Sequence, residues 1–222
     1  MKPSFLISSM LALAVASPVA LAHKQGDILV RAGAAMVAPD IGESSVSTPA
    51  GKISGSDVEV SDDTQLGLTL GYMLTDHVGI ELLAATPFEH DVTLKHMNGL
   101  NGKLATIKQL PPTLSLQYFP LDPSSKWQPY VGAGINYTYF FDEELKDARK
   151  AQGFSQLDRE SSWGLAVQAG IDYMLTDRIM LNAAVWRTDI DSEATARLNG
   201  AKVKVDIDID PWVYMVGIGY RF

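Results

Sequence analysis

The stretch Thr64-Gln-Leu-Gly-Leu-Thr-Leu-Gly-Tyr-Met-Leu74 alternates without a break: Leu66, Leu68, Leu70 and Tyr72 share one face, and Gln65, Gly67, Thr69 and Gly71 share the other. A period of two belongs to an extended strand with two unlike sides, because successive side chains point to opposite sides of the pleat. Ser162 to Tyr173 repeats the scheme, with Trp163, Leu165, Val167, Ala169, Ile171 and Tyr173 set against Gly164, Ala166, Gln168, Gly170 and Asp172. Outward from these two segments, alternation recurs at 27–37, 78–87, 109–119, 129–141, 179–190 and 212–222, which predicts eight strands.

One apolar face is also what a soluble eight-stranded ligand-binding barrel would show, with that face turned inward. The opposite face separates the two cases. A face in water is rich in Lys, Glu and Asp, whereas here it is mostly Gly, Ala, Ser, Thr, Gln and Asn, and the runs 163–171 and 127–141 hold no charge at all. Small uncharged groups suit the narrow interior of a membrane barrel whose greasy side faces lipid. The segments are close to the ~9–11 residues with which a tilted strand crosses a bilayer, and past residue 22 no run approaches the ~18 apolar residues of a spanning helix. On the apolar face Tyr72, Tyr118, Tyr173, Tyr220 and Phe222 lie near one end of their strands, and Tyr137, Tyr139, Trp163 and Trp212 near the other. Two aromatic belts at two headgroup levels follow from rings that are dry at one edge and wet at the other.

Composition agrees. Of 222 residues, 46% are hydrophobic and 20% charged, and the formal net charge is −8. A protein that tracks phosphate backbones carries a concentrated positive stripe, so nucleic acid drops out as a partner. The absence of cysteine removes disulfides, thiolate metal sites and cysteine nucleophiles. Residues 1–22 read as an export signal: Lys2 gives the basic end, Phe5 to Val15 the apolar stretch, and Ala20-Leu21-Ala22 the small residues of a cleavage site. The expected organisation is therefore a cleaved signal peptide over 1–22 and a barrel over 23–222.

Connection lengths alternate. Thr75–His77, Pro120–Trp127 and Thr176–Arg178 are short, and 38–61, 88–105 and 142–161 are long and polar. With an even strand number both ends lie in the periplasm, so the short turns are periplasmic and the long loops extracellular. Asp142 and Lys146 at i,i+4 spacing suggest a short surface helix in the third loop. Asn199-Gly200 between alternating segments signals a two-residue hairpin, so the last two strands should extend above the membrane. Val203, Val205, Ile207 and Ile209 have odd parity and Trp212, Tyr214, Val216 and Ile218 even, which predicts a bulge at Asp210-Pro211.

The chain finishes on Phe222 with Tyr220 and Ile218 on the same face, similar to the terminal signal by which the barrel-assembly machinery recognises outer-membrane barrels. Together with DTQLGLTLGYM (63–73), VGIELLAATPFEH (78–90), LPPTLSLQYF (110–119), PYVGAGINYTYFFD (129–142), SWGLA (162–166) and DPWVYMVGIGYRF (210–222), it closely resembles the outer membrane protein W family. KAQGFS (150–155) and KVDIDIDPW (204–212) are most similar to its pseudomonad branch, OprG. The resemblance covers the mature chain, with 38–61 the least matched part. It implies an eight-stranded antiparallel outer-membrane β-barrel, set in outer-membrane lipid and lipopolysaccharide. Its narrow apolar lumen would pass small hydrophobic molecules or small amino acids, without a cofactor.

In that frame Leu83 and Trp186 are the bulky apolar members of otherwise small or polar inward sets, and they match the family positions held to constrict the channel; the competing reading is that they fill a small barrel's core. Arg31, Glu81, Asp172 and Arg221 are inward charges that should pair. Pro111 and Pro112 each lack an N–H and so weaken the wall, and Pro87 could widen the gap, which together mark a lateral exit into the bilayer. Asp206, Asp208 and Asp210 share a strand face and offer oxygen ligands to a divalent cation, although solvated surface charge explains them as well. His90 and His96 could serve a lipid-modifying enzyme, but no Ser/His/Asp spacing supports catalysis. The alternative to a channel is a surface receptor or structural protein whose loops contact phages or bacteriocins.

Overall fold

Eight strands close into a cylinder in the computed structural model, which describes residues 23–48, 51–53, 57–95, 101–159, 161–198 and 200–222. In chain order the strands are β1 (Ile28–Ala38), β2 (Ile41–Thr48), β3 (Gly51–Ile53), β4 (Asp57–Val60), β5 (Asp63–Met73), β6 (Val78–Ala85), β7 (Phe88–Lys95) and β8 (Gly102–Leu110). They continue with β9 (Thr113–Tyr118), β10 (Trp127–Leu145), a short helix α1 (Asp147–Ala151), β11 (Phe154–Arg159), β12 (Ser162–Met174), β13 (Ile179–Thr188), β14 (Ile190–Leu198), β15 (Ala201–Ile209) and β16 (Trp212–Arg221). The order β12-β13-β16-β1-β5-β6-β9-β10 closes on itself through β10 and β12, and every pairing in it is antiparallel. The signal stretch 1–22 lies outside the described residues.

Side-chain exposure is inverted relative to a water-soluble domain. Leu66, Leu68 and Leu70 are 51%, 45% and 54% exposed, while Thr69 between them is 2% exposed. Trp163, Leu165 and Val167 are likewise exposed, and Ala166 and Gln168 are buried. Only a hydrocarbon surround makes that arrangement favourable, because in water it would forfeit the burial of every one of these side chains. Neighbouring strands approach closely where glycines face each other in the ladder. Gly33 pairs with Gly217, and a Cβ on Gly33 would stand 2.0 Å from the Val216 carbonyl oxygen, so a side chain at that crossing would push the strands apart.

The turns at the periplasmic end use one device twice. In Leu74-Thr75-Asp76-His77 the Thr75 hydroxyl accepts from the His77 and Val78 N–H groups at 3.2 and 3.0 Å. In Leu175-Thr176-Asp177-Arg178 the Thr176 hydroxyl accepts from Arg178 and Ile179 at 3.3 and 2.9 Å. Threonine closes both turns by replacing a missing main-chain acceptor.

On the outer side the structure departs from the sequence expectation. The segments 38–61, 88–105 and 142–161, read as long polar loops, carry further strands: β7 pairs with β8 as an antiparallel hairpin, and β11, β14, β15, β2 and β3 form a second sheet. The helix comes later than the Asp142–Lys146 spacing suggested, at Asp147–Ala151, because β10 runs on to Leu145 and holds Asp142, whose φ is 51°, beside Lys108 at 3.3 Å. Leu198 pairs with Ala201, leaving two residues for the turn, and Gly200 takes a φ of 86° there.

Asp210-Pro211 is not a bulge. Arg187 pairs with Trp212 and Ile190 with Ile209, so no residue is added across the break, and the register shift lies on the other side of β15, between Ile207 and Ile209 opposite β2. The apolar parity changes because the surroundings change: Ile179 and Leu181 of β13 are exposed to lipid, whereas Ile190 is 3% exposed, its strand having risen into water where apolar groups turn inward. A true one-residue shift occurs instead at Pro87. Leu83 pairs with Thr113 but Phe88 with Gln109, and the buried parity moves from Glu81 and Leu83 to Phe88, His90, Val92 and Leu94.

The β7–β8 hairpin is pinned by charge. Asp91 ion-pairs with Lys103 and accepts from the Thr106 hydroxyl at 2.9 Å. Partial burial pushes its carboxyl up, but these bonds outweigh it and hold the group below its ordinary value of 3.8. A depressed carboxyl contributes stability that is present above that value and lost as pH falls through the folded pKa. An NMR titration of the Asp91 side chain should show a midpoint below 3.8, moving upward in Lys103→Met. An unchanged midpoint in the variant would show that the pair does not form.

Candidate functional site

The interior is divided into two layers. Toward the periplasm, Arg31 of β1 donates through Nε and Nη2 to both oxygens of Asp172 on β12, at 3.0 and 2.6 Å, and through Nη1 to Glu81 on β6 at 2.7 Å. Its guanidinium also lies over the Tyr130 ring, 5.4 Å from the centroid. Asp172 additionally contacts His23 Nε2 at 2.9 Å and accepts from Asn182 Nδ2 at 2.8 Å. Arg31, Asp172 and His23 are 0% exposed and Glu81 1%. The planar fork of arginine suits this layer, since it satisfies two carboxylates at once in a setting where an unpaired charge would be costly. The layer thereby joins residues of β1, β6, β10, β12 and β13 across the lumen. Arg221 sits lower, at the rim, paired with Asp27 at 3.2 Å.

Above it the lining becomes apolar. Leu83 and Trp186, 5% and 2% exposed, line one cavity with Val37, Phe88, Pro111 and Val213. The room open to the centre of a water molecule is about 20 Å³, close to what about one water needs. Anything larger requires lining side chains to move. Pro87 is exposed and, with Pro112, is not part of that lining.

The wall beside the cavity is unpaired on one side only. Below it the last ladder pair of β6 and β9 is Leu83 with Thr113, and above it the first pair of β7 and β8 is Phe88 with Gln109. Toward β10 the register holds through the prolines, from Leu110 with Tyr139 to Thr113 with Asn136. Asn136 Nδ2 donates to the Pro111 and Pro112 carbonyls at 3.2 and 3.3 Å, and the Tyr137 N–H donates to Pro112 at 3.0 Å. Both proline carbonyls are therefore satisfied, in part by Asn136, a side chain that the sequence reading did not single out. Since main-chain groups alternate in direction along a strand, the residue-112 groups face β10 and those of residue 111 face β6, so Pro111 is the proline that withholds a donor from the gap.

The remaining candidates lie apart. Asp210 pairs with Arg187 at 3.1 Å; Arg187 also reaches Asp40 at 3.0 Å and lies over the Trp212 ring. The side chains of Asp206 and Asp208 lie outside the described residues, as does His96. Among the described residues no group of three or more His, Asp or Glu could hold a metal ion. His90, buried in the outer extension, contacts the Ser61 carbonyl at 2.6 Å through Nδ1 and the Gln109 amide at 2.9 Å through Nε2. Ile218 and Phe222 are exposed on the lipid face at 59% and 70%, with the Tyr220 ring 4.6 Å from that of Phe222 and tilted 60° to it.

Known proteins share this architecture along its length. The OmpW family pattern matches residues 24–222. Outer membrane protein W of Escherichia coli is 45% identical over 203 residues, 91% of this chain and 92% of that protein. The crystal structure of the outer membrane protein OprG from Pseudomonas aeruginosa is 52% identical and superposes with a TM-score of 0.86, covering 90% of this chain and 97% of that one. More distantly, the dibenzothiophene metabolism operon protein PahQ of Pseudomonas aeruginosa is 25% identical over 172 residues, 77% of each chain.

Proposed function

Because this chain belongs to the OmpW family and is an outer-membrane β-barrel, we propose that it is a channel for small apolar solutes, entered from outside, constricted by Leu83 and Trp186, and emptied sideways into the bilayer. The observation that carries this reading is the apolar cavity lying against an unpaired stretch of wall: Leu83, Trp186, Ala84 and Pro111 line the same space, and Ala84 belongs to the lipid-facing parity of β6. The charged layer beneath it makes axial escape unfavourable for an apolar molecule, since entering would disrupt paired buried ions. A relative named for a dibenzothiophene metabolism operon fits an apolar aromatic cargo. Small amino acids suit the cavity less well, because a zwitterion would find there no charged partner among the lining residues. Ile218, Tyr220 and Phe222 would present the assembly signal to the insertion machinery.

Uptake into proteoliposomes tests it, with apolar solutes and small amino acids compared on the same vesicles. Leu83→Ala should raise apolar uptake by widening the constriction. Pro111→Ala returns an N–H directed at β6 and should lower it by closing the gap, without changing the strand register. Unchanged uptake in Pro111→Ala would remove the lateral exit, and uptake restricted to amino acids would remove the apolar cargo.

A further inference from the structure

The constriction is not purely greasy. Trp186 Nε1 is buried with no hydrogen-bond partner, and so is Gln168 Nε2. The two residues are direct cross-strand partners, Gln168 on β12 and Trp186 on β13, both on the inward face and 5% and 2% exposed. Only Trp186 lines the cavity, however: the Gln168 amide leans over Gly132 of β10 toward Gln117, away from β13. The Gln168 oxygen faces Gln117, whose Nε2 donates to it at 3.5 Å, which leaves the nitrogen end as the unpaired one. An indole N–H can only donate. A buried donor left unmade is costly, and a membrane barrel can avoid that cost when the missing acceptor arrives with the solute.

We propose that the Trp186 indole N–H is an acceptor-binding subsite in the constriction, and that the preferred solute is a neutral apolar molecule bearing one carbonyl oxygen. This rests on the channel reading above and names its cargo more narrowly. The apolar body would occupy the space among Leu83, Val37 and Val213, with the oxygen accepting from the indole N–H. Neutrality follows from the neighbouring layer. Four residues nearer the periplasm on the same two strands stand Asp172 and Asn182, and the single Arg31 charge is already shared between Asp172 and Glu81. A carboxylate solute would add a third negative charge against one guanidinium in a low-dielectric interior, whereas a ketone or ester adds none. An alkane of the same shape would leave the indole donor unmade.

The test uses the full barrel in lipid vesicles with tryptophan labelled at the indole nitrogen, the Trp186 signal being identified by its loss in Trp186→Phe. Three ring compounds serve as probes: cyclohexanone, methylcyclohexane and cyclohexanecarboxylate. Cyclohexanone should shift the Trp186 indole resonance and bind about 10-fold better than methylcyclohexane, the ratio expected for one net hydrogen bond, with the carboxylate the weaker of the two oxygen-bearing probes. Trp186→Phe, which keeps an aromatic ring without the N–H, should bring ketone and alkane close to parity. Equal binding of ketone and alkane to the wild-type barrel, or an equally tight carboxylate, overturns the subsite while leaving the channel intact. If none of the three probes binds or enters, the channel reading itself fails. The wild-type ratio and the indole shift need no variant, so a substitution that prevents folding does not blunt the experiment.

Discussion

Replacing Arg31 with methionine should cost the barrel about 3–5 kcal/mol, the range for removing one partner of a buried ion pair. The reason is asymmetry. The guanidinium is 0% exposed and satisfies Asp172 through two hydrogen bonds and Glu81 through a third. Its loss leaves two carboxylates facing each other in an interior that cannot hydrate them, and Asp172 then depends on His23 and Asn182 alone among the contacts described above. Methionine matches the aliphatic stem of arginine, so packing loss contributes little and the measured cost reports mainly on charge. Unfolding in urea from lipid vesicles, followed by tryptophan fluorescence, gives the number. Combining Arg31→Met with Glu81→Gln and Asp172→Asn should recover most of it, because a neutral layer leaves no uncompensated ion. A cost below about 1 kcal/mol for Arg31→Met alone would mean that water reaches the layer, and the closed periplasmic half of the lumen would have to be abandoned.

Lysine at Leu68 should cost about 2–4 kcal/mol, and lysine at Tyr72 on the same strand and the same face only about 0–1 kcal/mol. Leu68 lies halfway along β5, pairs with Ala32 and Ala84, and is 45% exposed to what must be acyl chains. Tyr72 is near the periplasmic end of β5, where a lysine can extend its ammonium to the headgroups. The two positions share a strand and a face, so the difference reports mainly on depth in the hydrocarbon. Thr69 is a poor control for the inner face, since its hydroxyl lies 3.4 Å from Arg31 Nη1 and a lysine there would disturb the charged layer. Equal costs at Leu68 and Tyr72 would contradict a bilayer around β5.

The alternation that places Leu66, Leu68 and Leu70 outside and Thr69 inside needs nothing beyond the local pleat, and it carries the barrel, its eight strands and the inward position of Arg31, Glu81, Leu83, Asp172 and Trp186. It fails where parity is broken. Phe88 and His90 are buried, but an extra residue at Pro87 moves them off the series that includes Leu83, so extrapolating the alternation puts them on the wrong face. The three outer segments are polar enough to read as loops because their strands stand in water, where polar residues cover the outside of a sheet as readily as they fill a loop. Charge composition and parity at Asp210-Pro211 showed a switch of face, but a change of solvent produces the same pattern as a bulge, and only the continuous pairing of Arg187 with Trp212 and Ile190 with Ile209 tells them apart.

Strand number, the lipid-facing side and the membrane setting are thus written in the chain itself, because each depends on a residue and its neighbours two positions away. The joining of Arg31 to Asp172 across 141 positions, the capping of Pro111 and Pro112 by Asn136, and the meeting of Gln168 with Trp186 depend on closure of the cylinder and on the stagger between strands. Periodicity along one strand carries no information about that stagger, so these contacts become visible only once the barrel is closed.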